Sequence, residues 1–334
     1  MSDNMIKKTL YFENSAYLSM KNKQLVIKLP EVEKNDSLPE SFKERSVHTI
    51  PIEDIGVVIL DTKQLTITHG LLEELLANNC AVITCGSNRM PVGLQLPLDG
   101  NTLQSERFQA QIEASVPLKK QLWQQTIQAK ITNQASVLEF RNLEMKKFRN
   151  DAGYIEIGNM RAWVGQVKSG DSDNLEARAA AYYWKNLFPD IADFTRGREG
   201  VPPNNLLNYG YAILRAVVAR ALVASGLLPT LGIHHHNRYN AYCLADDIME
   251  PYRPFVDKLV VEIFNLEIKQ FRNVETDALE LTKDIKAKLL SIPVLDVVIN
   301  EQRSPLMVAA AQTTASLAKC YLGEARKIAY PQFT

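Results

Sequence analysis

The sequence predicts an α+β protein, with an N-terminal β-sandwich domain followed by a larger all-helical domain. Residues 1–98 contain short runs of β-branched and aromatic residues separated by turn-forming residues. Residues 102–334 instead repeat apolar side chains at the helical period of 3.6. The change follows the Pro-Leu-Asp-Gly run at 97–100, so residues 99–101 are the expected linker. A chain of 334 residues is long enough for two cores.

Strands are expected over 9–12, 17–20, 24–29, 48–51, 56–60 and 64–68. The run LLEELL favours one short helix over 70–78, followed by a strand at 81–84. Residues 30–45 are polar and contain two prolines, which predicts a long loop. Short strands at this spacing are typical of a small β-sandwich.

The bulk composition is that of an ordinary globular protein, with 46% hydrophobic and 23% charged residues and a net charge of zero. The start of the chain lacks the pattern of a secretory signal, which favours a cytoplasmic location. The apolar segment 211–233 contains Arg215 and Arg220, so a buried helix is expected there, with no membrane involvement. The four cysteines form no CxxC pair, which disfavours a disulfide framework or a zinc ribbon.

The segment 173–184 is predicted to begin a helix. Its acidic and amide residues Asp173 and Asn174 suit a cap, and its alanines allow another backbone to approach closely. Glu176 falls in the first turn. It either serves a site or complements the helix dipole, and this segment does not distinguish the two.

A second acidic helix is expected over 241–250 and should end at Pro251. Glu250 lies three residues after Asp247 and four after Asp246, so either pair shares a helix face. Carboxylates on one face repel unless a cation or a base neutralises them. Arg253 offers the structural alternative, a salt bridge to Glu250.

Three consecutive histidines precede that helix: His234, His235 and His236. Histidine is the commonest metal-ligating side chain, although only one or two adjacent rings can face one site. Glutamates and a histidine from separate segments suit Mg²⁺ or Mn²⁺, with phosphodiester hydrolysis or transesterification as the favoured chemistry. The sequence contains neither GxSxG nor GxxxxGK[ST], which disfavours a serine hydrolase or a P-loop enzyme.

Several segments in a fixed order resemble the CRISPR-associated integrase family, the catalytic subunit of the spacer-acquisition complex. They are IEDIGVVIL at 52–60, CGSNRMPVGLQLPL at 85–98, NLEARAAAYYW at 174–184, PPNNLLNYGYA at 202–212 and the histidine-rich run 226–254. The forms HHHN, LADD and MEPYRP, with QLW and KITNQ within 121–134, are similar to the branch that accompanies type II systems.

The resemblance implies a β-sandwich that forms a homodimer and a helical catalytic domain. It also implies that two such dimers flank a dimer of a small ferredoxin-like adaptation subunit, on double-stranded DNA. Glu176, His235 and Glu250 are the implied catalytic residues and metal ligands for Mg²⁺ or Mn²⁺, with Asp247 as a possible further ligand. His235 is either a metal ligand or a proton carrier. The implied reaction is attack by the 3′-hydroxyl of a captured fragment on a phosphodiester at the edge of a CRISPR repeat.

Candidate contacts to DNA phosphates are the basic residues Lys119, Lys120, Lys130, Arg141, Lys146, Lys147, Arg149 and Arg161. Asn204 and Asn208 are expected either to position site residues or to cap the helix after Pro202-Pro203. Two alternatives stay open. One is a nuclease that uses the same residues for hydrolysis, and the other is a non-catalytic DNA-binding scaffold whose acidic residues only neutralise arginines.

Overall fold

The computed structural model describes residues 7–148, 154–189, 191, 194–197, 200–270 and 280–333, apart from the side chains of residues 145, 147, 148 and 267–270. Its contacts divide the chain into two compact units, Met1–Thr102 and Leu103–Thr334.

From residue 7 onwards, the first unit combines two four-stranded sheets with three α-helices. Its elements are β1 (Lys8–Phe12), β2 (Ala16–Lys21), β3 (Gln24–Lys28), α1 (Pro30–Glu33), α2 (Glu40–Arg45), β4 (His48–Pro51), β5 (Ile55–Leu60), β6 (Leu65–Ile67), α3 (His69–Ala77), β7 (Ala81–Cys85) and β8 (Pro91–Gln95). One sheet has the order β1-β5-β7-β8, and the other has the order β4-β3-β2-β6.

Strand β5 occupies the interior of the first sheet, parallel to both β1 and β7. Such a strand is covered on both faces, which explains why its sequence IGVVIL is a continuous apolar run. Leu18 and Leu25 of the second sheet share one core cluster with Val58 and with Leu71 of α3. The two sheets therefore bury their apolar side chains together.

Two expectations for this unit are wrong. Residues 30–45, predicted as a loop, contain α1 and α2, because Pro30 occupies the first turn of α1 and Pro39 directly precedes α2. Strand β8 was not expected, because most of its side chains are exposed and its sequence PVGLQ lacks a β-branched run.

The second unit is helical, with α4 (Gln104–Glu113), α5 (Val116–Phe148), α6 (Gly158–Gln166), α7 (Leu175–Leu187), α8 (Asn204–Ala224), α9 (Cys243–Met249), α10 (Arg253–Gln270), α11 (Lys283–Leu289) and α12 (Leu306–Tyr321). The expectation of an all-helical domain is corrected by an antiparallel hairpin of β9 (Asp296–Ile299) and β10 (Gln302–Pro305). Helix α9 ends at Met249, just before Pro251 as predicted, and a 3₁₀ turn, Glu250–Tyr252, then links it directly to α10.

Helix α8 forms the centre of this unit. It is the one helix in the described ranges that is long and apolar enough to cross a membrane, but 78% of its apolar window is buried inside the protein. Apolar residues occupy almost every face of α8, as expected for a helix surrounded by others.

Candidate active site

Helix α5 supplies two side chains to the site from one buried face. Trp123 and Lys130 lie seven residues apart, which is two helical turns, so both point the same way. Trp123 is 1% exposed and Lys130 is 9% exposed. The buried face of α5 that packs into the unit therefore carries a charged side chain, that of Lys130.

Helix α7 positions Glu176 in its first turn, as predicted, but the cap differs from the prediction. Asp171 accepts hydrogen bonds from the backbone N–H groups of Leu175 and Glu176, each at 2.9 Å. Asp173, expected at the cap, instead pairs with Lys168 at 2.7 Å on the surface. Asn174 has a left-handed backbone and makes no side-chain cap bond. Asp171 thus fixes the turn that carries Glu176.

The three carboxylates at the end of α9 point to three different partners. Asp246 receives hydrogen bonds from Arg215 and Asn240, both at 2.7 Å. Asp247 is fully buried against the loop of residues 232–236, here called the histidine loop, and Glu250 is 4% exposed within the unit. Sequence spacing predicts that these side chains share a face, whereas the structure gives each one a separate role.

Asp247 organises the histidine loop. One of its oxygens accepts from the N–H groups of Ile233 at 2.6 Å and His234 at 2.9 Å. The other accepts from the N–H of His235 at 3.3 Å and contacts Nδ1 of the His235 ring. When Nδ1 donates to Asp247, Nε2 is the nitrogen that can bind a metal ion.

Gly232 makes this close approach possible. A Cβ at this position would lie 2.2 Å from the carbonyl oxygen of His235 and 2.9 Å from Asp247 Oδ2. His234 then stacks on Trp123, with ring centroids 4.2 Å apart and planes 3° apart. Carboxylate, glycine and tryptophan together fix the orientation of the loop.

Glu176 and Glu250 converge on a single cation, the ammonium group of Lys130. Its Nζ lies 2.7 Å from Glu176 Oε1 and 2.7 Å from Glu250 Oε2. The Glu250 oxygen in this contact is buried, so the ammonium, and not water, balances its charge. Arg253 pairs with the other oxygen of Glu250 at 3.0 Å, which confirms the salt bridge expected from their spacing.

The pKa shifts follow from this arrangement. Burial would lower the pKa of Lys130, but attraction to Glu250 and Glu176 outweighs burial and raises it. Burial would raise the pKa of Glu250, but Arg253 and Lys130 hold it below its ordinary value. The hydrogen bond to Asp247 raises the pKa of His235, with smaller contributions from the charges of Glu250 and Glu176. The imidazole therefore shares the electrostatic environment of both glutamates.

Arg253 connects the site to a buried acid behind it. Its guanidinium lies 4.9 Å from the centroid of the Tyr211 ring. Tyr211 donates a hydrogen bond to Asp257 at 2.5 Å, and Tyr183 donates another at 2.9 Å. Burial raises the pKa of Asp257 to about 7.

Asn204 and Asn208 hold the segment before α8. The Asn204 side chain donates to the carbonyls of Thr195 and Val201, both at 3.0 Å. Its oxygen accepts from Arg196, as does the oxygen of Asn208, at 3.0 and 2.7 Å. Since Arg196 lies 5.0 Å from the Tyr211 ring centroid, the two asparagines support the layer behind Glu250.

The predicted DNA contacts separate into buried and surface groups. Lys130 and Arg141 are buried, and Arg141 pairs with Glu144 at 3.4 Å, which corrects their expected role as surface contacts. The side chains that reach the surface are those of Lys119, Lys120, Lys146 and Arg161, the last paired with Glu139 at 2.7 Å. Lys147 is described only by its backbone, and Arg149 lies outside the described residues.

The donor set suits a divalent cation, although it is not assembled as a cage. Two carboxylate oxygens already share one cation, and a separate imidazole is fixed through Nδ1; oxygen and imidazole donors are ligand types that fit Mg²⁺ or Mn²⁺. Within the described ranges, no three His, Cys, Asp or Glu side chains lie close enough to hold a metal ion. Lys130 stands between the glutamates, and Asp247 is turned towards the histidine loop.

Sequence reasoning did not assign Trp123, Lys130 and Asp171 to this site. A signal for Lys130 was available, because it falls in the apolar stripe of α5 between Ile127 and Ile131. A lysine in such a stripe needs buried anionic partners.

Comparisons with known proteins agree with these features. The family model described as CRISPR associated protein Cas1 matches residues 10–292. A CRISPR-associated endonuclease Cas1 from Neisseria meningitidis is 35% identical over 260 residues, 78% of this chain and 77% of the relative. A CRISPR-associated endonuclease Cas1 2 from Saccharolobus solfataricus is 30% identical, over 77% of this chain and 76% of the relative.

Among solved structures, a casposase bound to integration product has a TM-score of 0.74 at 21% identity, and covers 97% of this chain and 92% of its own. A CAS1 protein from Thermotoga maritima has a TM-score of 0.63 at 17% identity, over 95% and 98% of the two chains. At sequence identities this low, the similarity to these two structures establishes a shared fold and nothing further. The family match and the relatives confirm the resemblance seen in the sequence: the chain belongs to the Cas1 family of CRISPR-associated endonucleases.

Proposed function

We propose that this protein is a divalent-metal-dependent DNA integrase of CRISPR adaptation, of the branch that accompanies type II systems. The observation that carries the proposal is the convergence of Glu176 and Glu250 on one cation, with the charges of both glutamates acting on His235. Integration joins a 3′-hydroxyl to a phosphodiester, and this transfer requires stabilisation of charge on the phosphate.

Glu176, His235 and Glu250 would hold the Mg²⁺ or Mn²⁺ ion, which polarises a phosphoryl oxygen and stabilises developing charge when bound. Arg253 binds one oxygen of Glu250 and thereby turns the other towards the site. Asp247 orients the His235 ring through Nδ1, the usual arrangement for a ligating histidine. For this reason we assign His235 to the ligand set in preference to proton transfer, and Asp247 to its support.

The remaining assignments concern DNA and partners. Surface groups of the second unit, Lys119, Lys120, Lys146 and Arg161, would contact backbone phosphates of the captured fragment and the repeat array. The two sheets of the first unit would form a β-sandwich and the homodimer contact. A chain of a Cas6-RT-Cas1–Cas2 complex has a TM-score of 0.68 at 18% identity, over 97% of this chain and 36% of its own. We propose that two dimers of this protein flank a dimer of a Cas2-like partner. We also propose that this complex acts in the cytoplasm.

A direct test uses a fragment with free 3′-hydroxyl ends and a supercoiled plasmid that carries a repeat array. With the partner subunit and Mn²⁺ or Mg²⁺, the protein should produce joined fragment–plasmid products. Glu250→Gln and Glu176→Gln keep side-chain size but remove the charges, and should abolish joining. Glu324→Gln, at an exposed position, is the matched control and should join normally.

The two alternatives give different products. Nicked plasmid without joined product would indicate a hydrolytic nuclease and would refute integration. Joining that survives both glutamine variants would mean that the carboxylates only neutralise their basic neighbours, and the proposed site would then be wrong.

A further inference from the structure

The proposed chemistry does not explain why a lysine, Lys130, is buried between the two glutamates of the site. A lysine with 9% exposure loses most of its hydration, which is favourable only if buried anions replace the water. Glu176 and Glu250 do so, each with one oxygen 2.7 Å from Nζ. The ammonium therefore lies between the two carboxylates that would serve as metal ligands.

A metal ion and this ammonium cannot occupy the site together. Both oxygens contact one Nζ at 2.7 Å, and a divalent ion held by them would need oxygen contacts of about 2.1 Å, so ammonium and ion would compete for the same two oxygens. The divalent cation would also repel a lysine held at contact distance. Metal binding must move the ammonium away from at least one of the oxygens.

We propose that Lys130 is an internal counter-cation that holds the metal site closed: its ammonium bridges Glu176 and Glu250 in the metal-free protein and competes directly with the divalent ion. This proposal rests on the proposed function, since it takes the two glutamates as metal ligands. Lys130 is a positioning residue that neutralises the two carboxylates in the metal-free protein, and metal loading displaces it.

The surroundings allow Lys130 to be removed without the loss of the fold. Glu250 keeps Arg253 on its other oxygen at 3.0 Å, so it is not left as an unpaired buried charge. The side chain of Glu176 is 24% exposed and reaches water. A neutral residue at 130 should therefore leave the site assembled, without its internal competitor.

The experiment measures Mn²⁺ binding to the full-length protein without DNA, by electron paramagnetic resonance of the unbound ion. Lys130→Met and Lys130→Gln should each lower the Kd for Mn²⁺ at least about tenfold, because the competing charge is gone. Lys130→Arg keeps the charge and should not bind Mn²⁺ more tightly than the wild type. Lys319→Met, an exposed lysine of α12, is the matched control and should leave the Kd unchanged.

Folding is checked by circular dichroism, and Lys130→Gln provides a second neutral variant should Lys130→Met prove unstable. Unchanged or weaker Mn²⁺ affinity in a folded neutral variant would overturn the proposal. The double variant Glu176→Gln with Glu250→Gln separates this failure from a failure of the proposed function. Mn²⁺ binding that disappears in the double variant places the ion at the glutamates, whereas unchanged binding there refutes the metal site itself.

Discussion

Asp257 gives the sharpest prediction about stability. It lies on α10, is 1% exposed and accepts hydrogen bonds from Tyr183 and Tyr211. Burial raises its pKa from 3.8 to about 7, although the two phenols, Arg196 and Arg253 oppose the rise. The folded protein thus holds a proton on Asp257 at a pH where the unfolded chain has released it.

The sign follows from proton linkage. A raised carboxyl pKa stabilises the folded state fully below the unfolded value of 3.8, and this stability is lost as pH rises through about 7. A shift of this size corresponds to about 4 kcal/mol at most. Asp257→Asn imitates the neutral acid and lacks this pH dependence.

Urea unfolding of the wild type and of Asp257→Asn, between pH 4 and pH 8, isolates the effect because other titrating groups cancel in the difference. The free energy of unfolding of the wild type relative to the variant should fall by up to about 4 kcal/mol over this range. Asp296→Asn, at an exposed position, should show no such trend. A constant difference between wild type and Asp257→Asn would mean that Asp257 stays ionised in the folded protein, and the reasoning would fail.

Three further predictions concern the site and its DNA. Gly232→Ala should abolish joining and lower Tm, because the new Cβ lies 2.2 Å from a carbonyl oxygen; wild-type joining would contradict the loop geometry. Asp247→Asn should cost about 3 kcal/mol in urea unfolding, since charge-assisted bonds to the loop are lost; a change below about 0.5 kcal/mol would refute this role. If four surface basic groups contact phosphates, log Kd for DNA should change with log salt by a slope of about 3.6, and a flat response would exclude them.

The first unit was largely readable from sequence, because most of its strands carry β-branched runs between turn residues. The strand predicted over 56–60 corresponds to β5 (Ile55–Leu60), and the helix over 70–78 to α3 (His69–Ala77). Strand β8 was not predicted because it is held by backbone pairing with β7, whereas most of its side chains are exposed and give no apolar pattern in the sequence.

The hairpin of the second unit was missed although its sequence carries a signal. Asn300 and Glu301 both have positive φ, at 50° and 63°, as the two-residue turn between β9 and β10 requires. Val297, Val298 and Ile299 directly precede this turn. The helical period of the flanking segments concealed a β-branched run of only three residues.

Spacing along the chain predicts the salt bridge between Glu250 and Arg253, but it does not predict that Lys130 contacts both Glu176 and Glu250. Arg253 follows Glu250 by three residues, so their salt bridge could be predicted from one helical turn. The contact of Glu176 with Lys130 spans 46 residues, and it exists only because α7 packs against α5. Spacing along the chain contains no information about such packing.

Glu250 contacts two cationic side chains, Lys130 and Arg253, and they differ in how firmly they are held. This difference indicates which of them an incoming metal ion can displace. Arg253 begins α10 and also contacts the Tyr211 ring, so its position is fixed by the helix and by the aromatic layer. Lys130 reaches Glu250 through a flexible four-carbon chain, and among the described residues no second contact of its ammonium group fixes it to an aromatic ring or a helix end. An ion that competes for Glu250 therefore meets less resistance from Lys130 than from Arg253. The oxygen facing Lys130 also shares its cation with Glu176, so displacing this single ammonium exposes an oxygen of each glutamate together.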